Sequence, residues 1–343
     1  MRGLLTPGHL CVCIILGLVL LLVVVLVCSL MGTESISLRS AFTHPTSPHA
    51  INMDYAILMK IRLPRVILAV LVGAALAISG AVFQGLLRNP LADPFILGIS
   101  SGAGLGAILA VISGLTWTVA GRSPIAVYAF IGALGTVWLV SFIGRLTGRH
   151  HITGLLLAGV VVNAFFSALI MFLTSIANSS QVHATLFWLM GNISEESPLI
   201  LWLGTGGVGA GLVGLYFLAP QLNAISFSDE DARSMGVPVE RIRWIAFGIA
   251  AFMTAVAVSV SGLVGFVGLV VPHAIRLLFG ADHRQLFPLC AIVGGIFLAV
   301  ADTIARVIVA PAQLPVGVIT ALIGGPIFVF LLIRYSKNIG ALQ

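Results

Sequence analysis

The chain has 343 residues, 59% hydrophobic and only 8% charged, with a mean hydropathy of +1.15 and a formal charge of +6. That balance excludes a water-soluble enzyme of this length and describes an all-α polytopic membrane protein. Apolar runs separated by short charged or Gly/Pro-bearing breaks predict about ten spans, at roughly 10–32, 62–84, 93–114, 123–143, 152–176, 197–219, 241–260, 263–281, 284–305 and 313–334.

The first run starts at Leu10 and passes Val27 without an A-x-A-like cleavage site, so it is expected to stay as a helix rather than be removed as a signal peptide. Cys11, Cys13, Cys28 and Cys290 all fall inside predicted spans, where small polarizable side chains pack well; no disulfide framework, metal site or redox pair is expected from them. Thr33 to Tyr55 is polar, carries His44, Pro45, Pro48 and His49, and reads as an exposed external loop.

Arg62 to Gly106 joins two apolar spans through the irregular turn NPLADP, which must lie at a polar interface or pack against protein. Gly102 and Gly106, and again Gly207 and Gly211, are spaced for close helix approach. Gly204, Gly206 and Gly209 spell G-x-G-x-x-G, but inside an apolar span with no preceding strand, so no dinucleotide site is expected. On the fifth span Asn163 and Ser167 stand four apart and share a face, which suits either a pathway lining or helix–helix hydrogen bonding. Between Asn178 and Pro198 the semi-apolar VHATLFWLMG is too short to span, and predicts an external interfacial helix at about 181–190. Ser226 to Arg243 predicts a short helix within 228–236. Ser228 is its N-cap with Asp231 three residues on, Asp229 and Glu230 fall in its first turn, and Gly236 terminates it. It is either a solvated loop helix or a rigid knob that fits a cleft on a cytoplasmic partner.

An offset of about 182 residues lays Ser79-Gly80 on Ser261-Gly262, Pro90 on Pro272 and Ala92 on Ala274. A five-span repeat has an odd count and must be inverted, with NPLADP and GLVGFVGLVVPH then expected on opposite faces.

With the N-terminus inside, the inner side receives Arg2, Arg88, Arg145, Arg149, Arg233, Arg241, Arg243, Arg284, Arg334 and Lys337, with Arg276 near it. This places both termini in the cytoplasm. The outer side keeps Arg39, Lys60, Arg62, Arg65, Arg122 and Arg306. Arg62, Arg65 and Arg306 either snorkel to lipid headgroups or form a guanidinium cluster for carboxylates of an arriving protein.

Chemistry-bearing patterns are absent. There is no G-x-x-x-x-G-K-[ST], and the only lysines are Lys60 and Lys337; no H-E-x-x-H or G-x-S-x-G occurs, and His150-His151 reads as a solvated turn. Acidic residues are nearly missing from the spans, which disfavours an ion-coupled secondary transporter as it does an intramembrane enzyme. Asp302, with Arg306 four residues on, is either a local ion pair or a coupling site.

RLPR, VGAALAISGAVFQGLLRNPLADPFILGISSGAG, LLLAGVVVNAFFSALI, FWLMGNIS, DEDARSMGV, GLVGFVGLVVPHAIRLLFGADHRQLFP, ADTIAR and LPVGVITALIGGPIFVFLL follow one another in this order. In this the chain resembles the permease subunits of ATP-binding-cassette importers for ferric siderophores, haem and cobalamin. The resemblance implies a single permease domain over 1–343 that pairs with a second copy, as a homodimer or with a close relative, in the prokaryotic cytoplasmic membrane. It implies two cytoplasmic ATPase subunits that hold ATP and Mg, a periplasmic or lipid-anchored binding protein, contact with lipid, and no nucleic acid. This chain itself would bind no cofactor and catalyse no covalent step. By the same resemblance Arg62, Arg65 and Arg306 match the arginines that meet the binding protein. Asp229, Glu230, Asp231, Ala232, Arg233, Ser234, Met235 and Gly236 match the coupling helix in the ATPase cleft. Gly154 to Ile176, and the short helix with Phe187 and Met190, match elements bordering the pathway and its gate. His273, after Pro272, is expected in a helix-break hydrogen bond rather than on a metal. Iron chelates are the first expectation for cargo, as the commonest in the family.

Overall fold

The computed structural model describes residues 7–42, 52–114, 124–146, 152–193 and 198–340. Expectations placed on Arg2, His44, Pro45, Pro48, His49, Arg122, Arg149 and His150-His151 lie outside the described residues. In chain order the helices are α1 (Pro7–Leu30), α2 (Leu38–Ala41), α3 (Met53–Ala56), α4 (Leu63–Leu86), α5 (Ile99–Ser113), α6 (Pro124–Leu146), α7 (Ile152–Ile176), α8 (Ser179–Leu189), α9 (Pro198–Phe227), α10 (Asp229–Ser234), α11 (Val239–Ser261), α12 (Val267–Phe279), α13 (His283–Val307) and α14 (Val316–Gly340). A π-turn at Ile57–Arg62 leads into α4, and a 3₁₀ turn at Pro94–Leu97 precedes α5. Among the described residues seven helices are long and apolar enough to cross a bilayer, and shorter apolar helices stand at Ile99–Ser113, Val267–Phe279 and Val316–Leu331. Each expected span therefore has its helix, and the chain is an all-α polytopic membrane protein.

The centre of the bundle is α4. Its small residues, among them Gly73, Ala77 and Gly80, let neighbouring backbones touch it: Gly73 lies against the Gly294 carbonyl of α13, and Gly80 against the Gly268 carbonyl of α12. From Val66 to Leu86 it is buried on nearly every side, as an all-apolar helix in a bundle core should be. The first helix, α1, is the opposite. It is rich in leucine and valine, none of its most apolar stretch is buried, and it rests on the rim with Gly17 against Ile292 of α13.

Two short helices begin at irregular backbone. At 15 and 13 residues, α5 and α12 rise only about 20 Å, less than the hydrocarbon core. The expected span at 93–114 becomes helical only at Ile99, because Asp93 and Pro94 first set a 3₁₀ turn that Gly98 ends at φ 77°. Between α11 and α12 the chain breaks at Gly262 (φ 64°) and re-enters through Phe266 (φ 68°). A Cβ on Gly268 would lie 3.0 Å from both Pro94 Cδ and the Leu76 carbonyl. Irregular backbone within a bundle must be packed in protein, and here the turn at Pro94 packs on the first turn of α12. The offset of 182 does not superimpose the two breaks, since Ser79-Gly80 lies in mid-α4 while Ser261-Gly262 ends α11.

Candidate functional site

A cavity of about 640 Å³ opens beside α5, α7 and α8 and reaches the α11–α12 break at Leu263. Its polar lining is Ser100 and Ser101 from the first turn of α5, and Asn163, Ser167, Thr174 and Ser175 from α7, set among Ile170, Met171, Leu186 and Leu189. Positions 163, 167 and 174 recur at helical spacing, so one stripe of α7 faces the cavity. The Thr174 and Ser175 hydroxyls donate back to the Ile170 and Phe172 carbonyls at 2.7 Å, leaving a wall of weak polarity without charge. Asn163 and Ser167 stand where the sequence suggested. Ser100, Ser101 and Thr174 were missed, although the serines of SSGAG after an irregular turn carried the signal. Phe187 and Met190 do not line this cavity; α8 contributes Leu186 and Leu189 to it instead.

At both ends α8 is fastened. Asn178 and Gln181 close a capping box, and the Gln181 amide donates to the Val111 and Ile112 carbonyls that end α5, at 3.4 Å. Beyond its other end Asn192 N donates to the Ser261 carbonyl at 2.7 Å, and Gly191 lies against Leu263 at the break. On the far side of the cavity wall, α7 exposes Leu157, Val161, Phe165, Phe172 and Ile176.

The structure brings Arg62, Arg65 and Arg306 together, but turned inward. Asp302, fully buried, accepts from Arg65 Nε at 3.2 Å and Nη2 at 3.0 Å, and from Arg306 Nε at 3.0 Å. Arg306 also reaches Thr303 Oγ1 at 3.0 Å and the Cys28 and Met31 carbonyls at 3.4 Å. Arg62 donates to the Leu30 carbonyl at 2.9 Å and to that of Glu34. With Arg62 5% and Arg306 6% exposed, neither snorkels; both cap the free carbonyls at the end of α1. Asp302 is a local ion pair. Only Arg65 reaches the exposed edge, where Nη1 meets Gln313 Oε1 at 3.1 Å.

At the other end, α10 has the caps its sequence predicted. Ser228 Oγ accepts from Glu230 N and Asp231 N at 3.2 and 3.3 Å. Gly236, at φ 80°, and Val237 close a Schellman motif onto Arg233 and Ala232. Ala232 is buried, while Glu230, Asp231, Arg233, Ser234 and Met235 are exposed. Asp229 turns inward to Arg88 and Arg243. Burial alone would raise its pKa, but the hydrogen bond and charge of Arg243, with the charge of Arg88, outweigh it and hold the carboxylate below its usual range. His273 is buried in α12 and lies edge-on to Phe328 at 6.1 Å.

The FecCD transport family matches residues 20–334. The chain belongs to the FecCD transport family. It is 41% identical over 329 residues to the hemin transport system permease protein HmuU of Yersinia pestis, covering 95% of this chain and 97% of that one. It is 41% identical over 296 residues to the cobalamin import system permease protein BtuC of Halobacterium salinarum, covering 86% and 78%. A solved metal-chelate type ABC transporter in an inward-facing conformation superposes with a TM-score of 0.80 at 29% identity, covering 94% of this FecCD chain and 98% of its own.

Proposed function

We propose that this FecCD chain is the membrane-spanning subunit of an ATP-driven importer that carries an iron chelate, haem or cobalamin into the cytoplasm. Its relatives' names support that cargo range, and the cavity beside α7 carries the reading. About 640 Å³ of uncharged, weakly polar wall suits a bulky chelate that must pass without being held. The open side of this cavity along α7 then faces a second copy, so that two such walls enclose one pathway between subunits. Both termini lie in the cytoplasm of a prokaryotic inner membrane by the distribution of arginine. There α10 offers Glu230, Arg233 and Met235 to an ATPase subunit, which supplies ATP and Mg. The outer cluster, with Arg65 and Gln313 at its edge, meets acidic groups of a substrate-binding protein. Ion coupling is disfavoured because the buried Asp302 is held in ion pairs with two guanidinium groups.

Reconstitution with the partner ATPase and binding protein tests this. Uptake of hemin, cobalamin or a ferric siderophore is expected to need ATP and to persist when ion gradients are collapsed. Uptake driven by an ion gradient without ATP overturns the reading.

A further inference from the structure

The cytoplasmic end of the bundle holds a knot of polar groups from elements far apart in sequence. Arg88 follows α4 in left-handed backbone (φ 47°), a conformation that a long side chain keeps only where contacts hold it. Its Nε and Nη2 donate to the Ile225 carbonyl of α9 at 3.2 and 2.6 Å, and Nη2 also reaches Asp229. Asp229 opens α10 and receives Arg243 Nη2 of α11 on its two oxygens at 3.0 and 2.9 Å. The end of α9 is itself tied to α13: Asn223 Oδ1 accepts from the His283 backbone N–H at 2.9 Å, and its amide donates to Asp282 at 2.8 Å. Four spans converge here, and Asp229 is the group through which α10 joins them.

A helix of six residues between two turns transmits little force by its backbone alone. Its cap and its Schellman motif hold its shape, not its attachment. We infer that Asp229 is a positioning residue whose carboxylate fastens α10 to α4 and α11 together, so that a push on α10 reaches both spans instead of being absorbed in the turns at Ser228 and Gly236. Arg88 stands directly before the Asn89–Pro94 turn, which leads to Ser100 and Ser101 on the cavity wall. The push therefore passes through the Asp229–Arg88 ion pair and then a short stretch of chain to the pathway. This rests on the reading that α10 meets the ATPase.

The test compares Asp229→Asn, Asp229→Glu and the wild type in the full complex in nanodiscs, reading substrate moved per ATP. A spin label on Ser234→Cys in the permease alone reads the mobility of α10. Asp229→Asn is expected to keep the ATPase bound through the exposed residues, lower transport per ATP at least about fivefold and loosen the label, with Asp229→Glu recovering most of both. An unchanged ratio with an unchanged label overturns the inference. Loss of the ATPase from Asp229→Asn also overturns it, making Asp229 a contact rather than a fastener. Should Asp229→Asn fail to insert, Arg88→Gln must show the partial loss, and an unchanged ratio there counts against the inference equally. If the wild type moves nothing with ATP, the proposed function fails, while the label still decides whether Asp229 holds α10.

Discussion

Asp302 faces two guanidinium groups with no water contact, so its removal leaves uncompensated cations in a low-dielectric site. Asp302→Asn is expected to destabilise the protein by about 3–5 kcal/mol, read as a lowered melting temperature in detergent. The double change Asp302→Leu with Arg306→Met should cost less than the single one, because no charge is orphaned. A single mutant that melts with the wild type would remove this cluster's structural role. The arginines also separate by exposure. Arg65→Gln should weaken binding-protein affinity and flatten its salt dependence, whereas Arg62→Gln, which loses only a cap on α1, should leave both intact. Equal effects from the two would refute an exposed edge at Arg65. For Asp229 the sign follows from its depressed pKa: the pair is fully present above the unfolded carboxylate value of about 3.9 and is lost as pH falls through the lower folded value. Hydrogen exchange in α10 should accelerate only below about pH 4, and Asp229→Asn should abolish that dependence.

Among the elements, α10 and α8 are each defined by their ends. At φ 80° Gly236 admits no proline, so Gly236→Pro must unwind the C-terminal cap of α10, and the altered permease should no longer copurify with its ATPase although it still inserts. Retained copurification and transport would mean that α10 is not the coupling element. Asn178→Ala removes one side of the α8 capping box at a cost of about 1 kcal/mol, visible as faster exchange in Gln181 to His183. These ends were legible because caps are local: Ser228 and Gly236 announce a six-residue helix within nine residues of sequence. Pairings between elements were not. Arg88 and Asp229 stand 141 residues apart, and nothing in either neighbourhood says that they meet. The burial of Arg62 and Arg306 was not legible for the same reason, since the carbonyls they reach lie at the end of α1, whose docking no periodicity reveals.

Across the whole molecule, hydropathy marked ten apolar helices, while the shortness of α5 and α12 and the packing of the turn at Pro94 on α12 depend on contacts that only the fold supplies. The cavity wall of α7, open along one side of this chain, predicts a dimer that closes it. Single cysteines at Asn163, Ser167 or Ser175, with the native four removed, should crosslink between subunits or be shielded by substrate, and one at the lipid-exposed Leu16 should do neither. Transport by a monomer, or labelling of Asn163 only by lipid-soluble reagents, would exclude this arrangement.

The capped end of α1 bears on how the chain is made. Met31 and its capping Arg306 lie 275 residues apart, so α1 enters the bilayer long before the guanidinium that satisfies its last carbonyls has been synthesised. Through most of translation it must persist as a lone apolar helix, which its unbroken leucine and valine allow. Arg62 can reach the Leu30 carbonyl early, but the Cys28 and Met31 carbonyls are met only when α13 arrives, making that contact one of the last acts of membrane assembly and a point where a truncated product differs from a finished one.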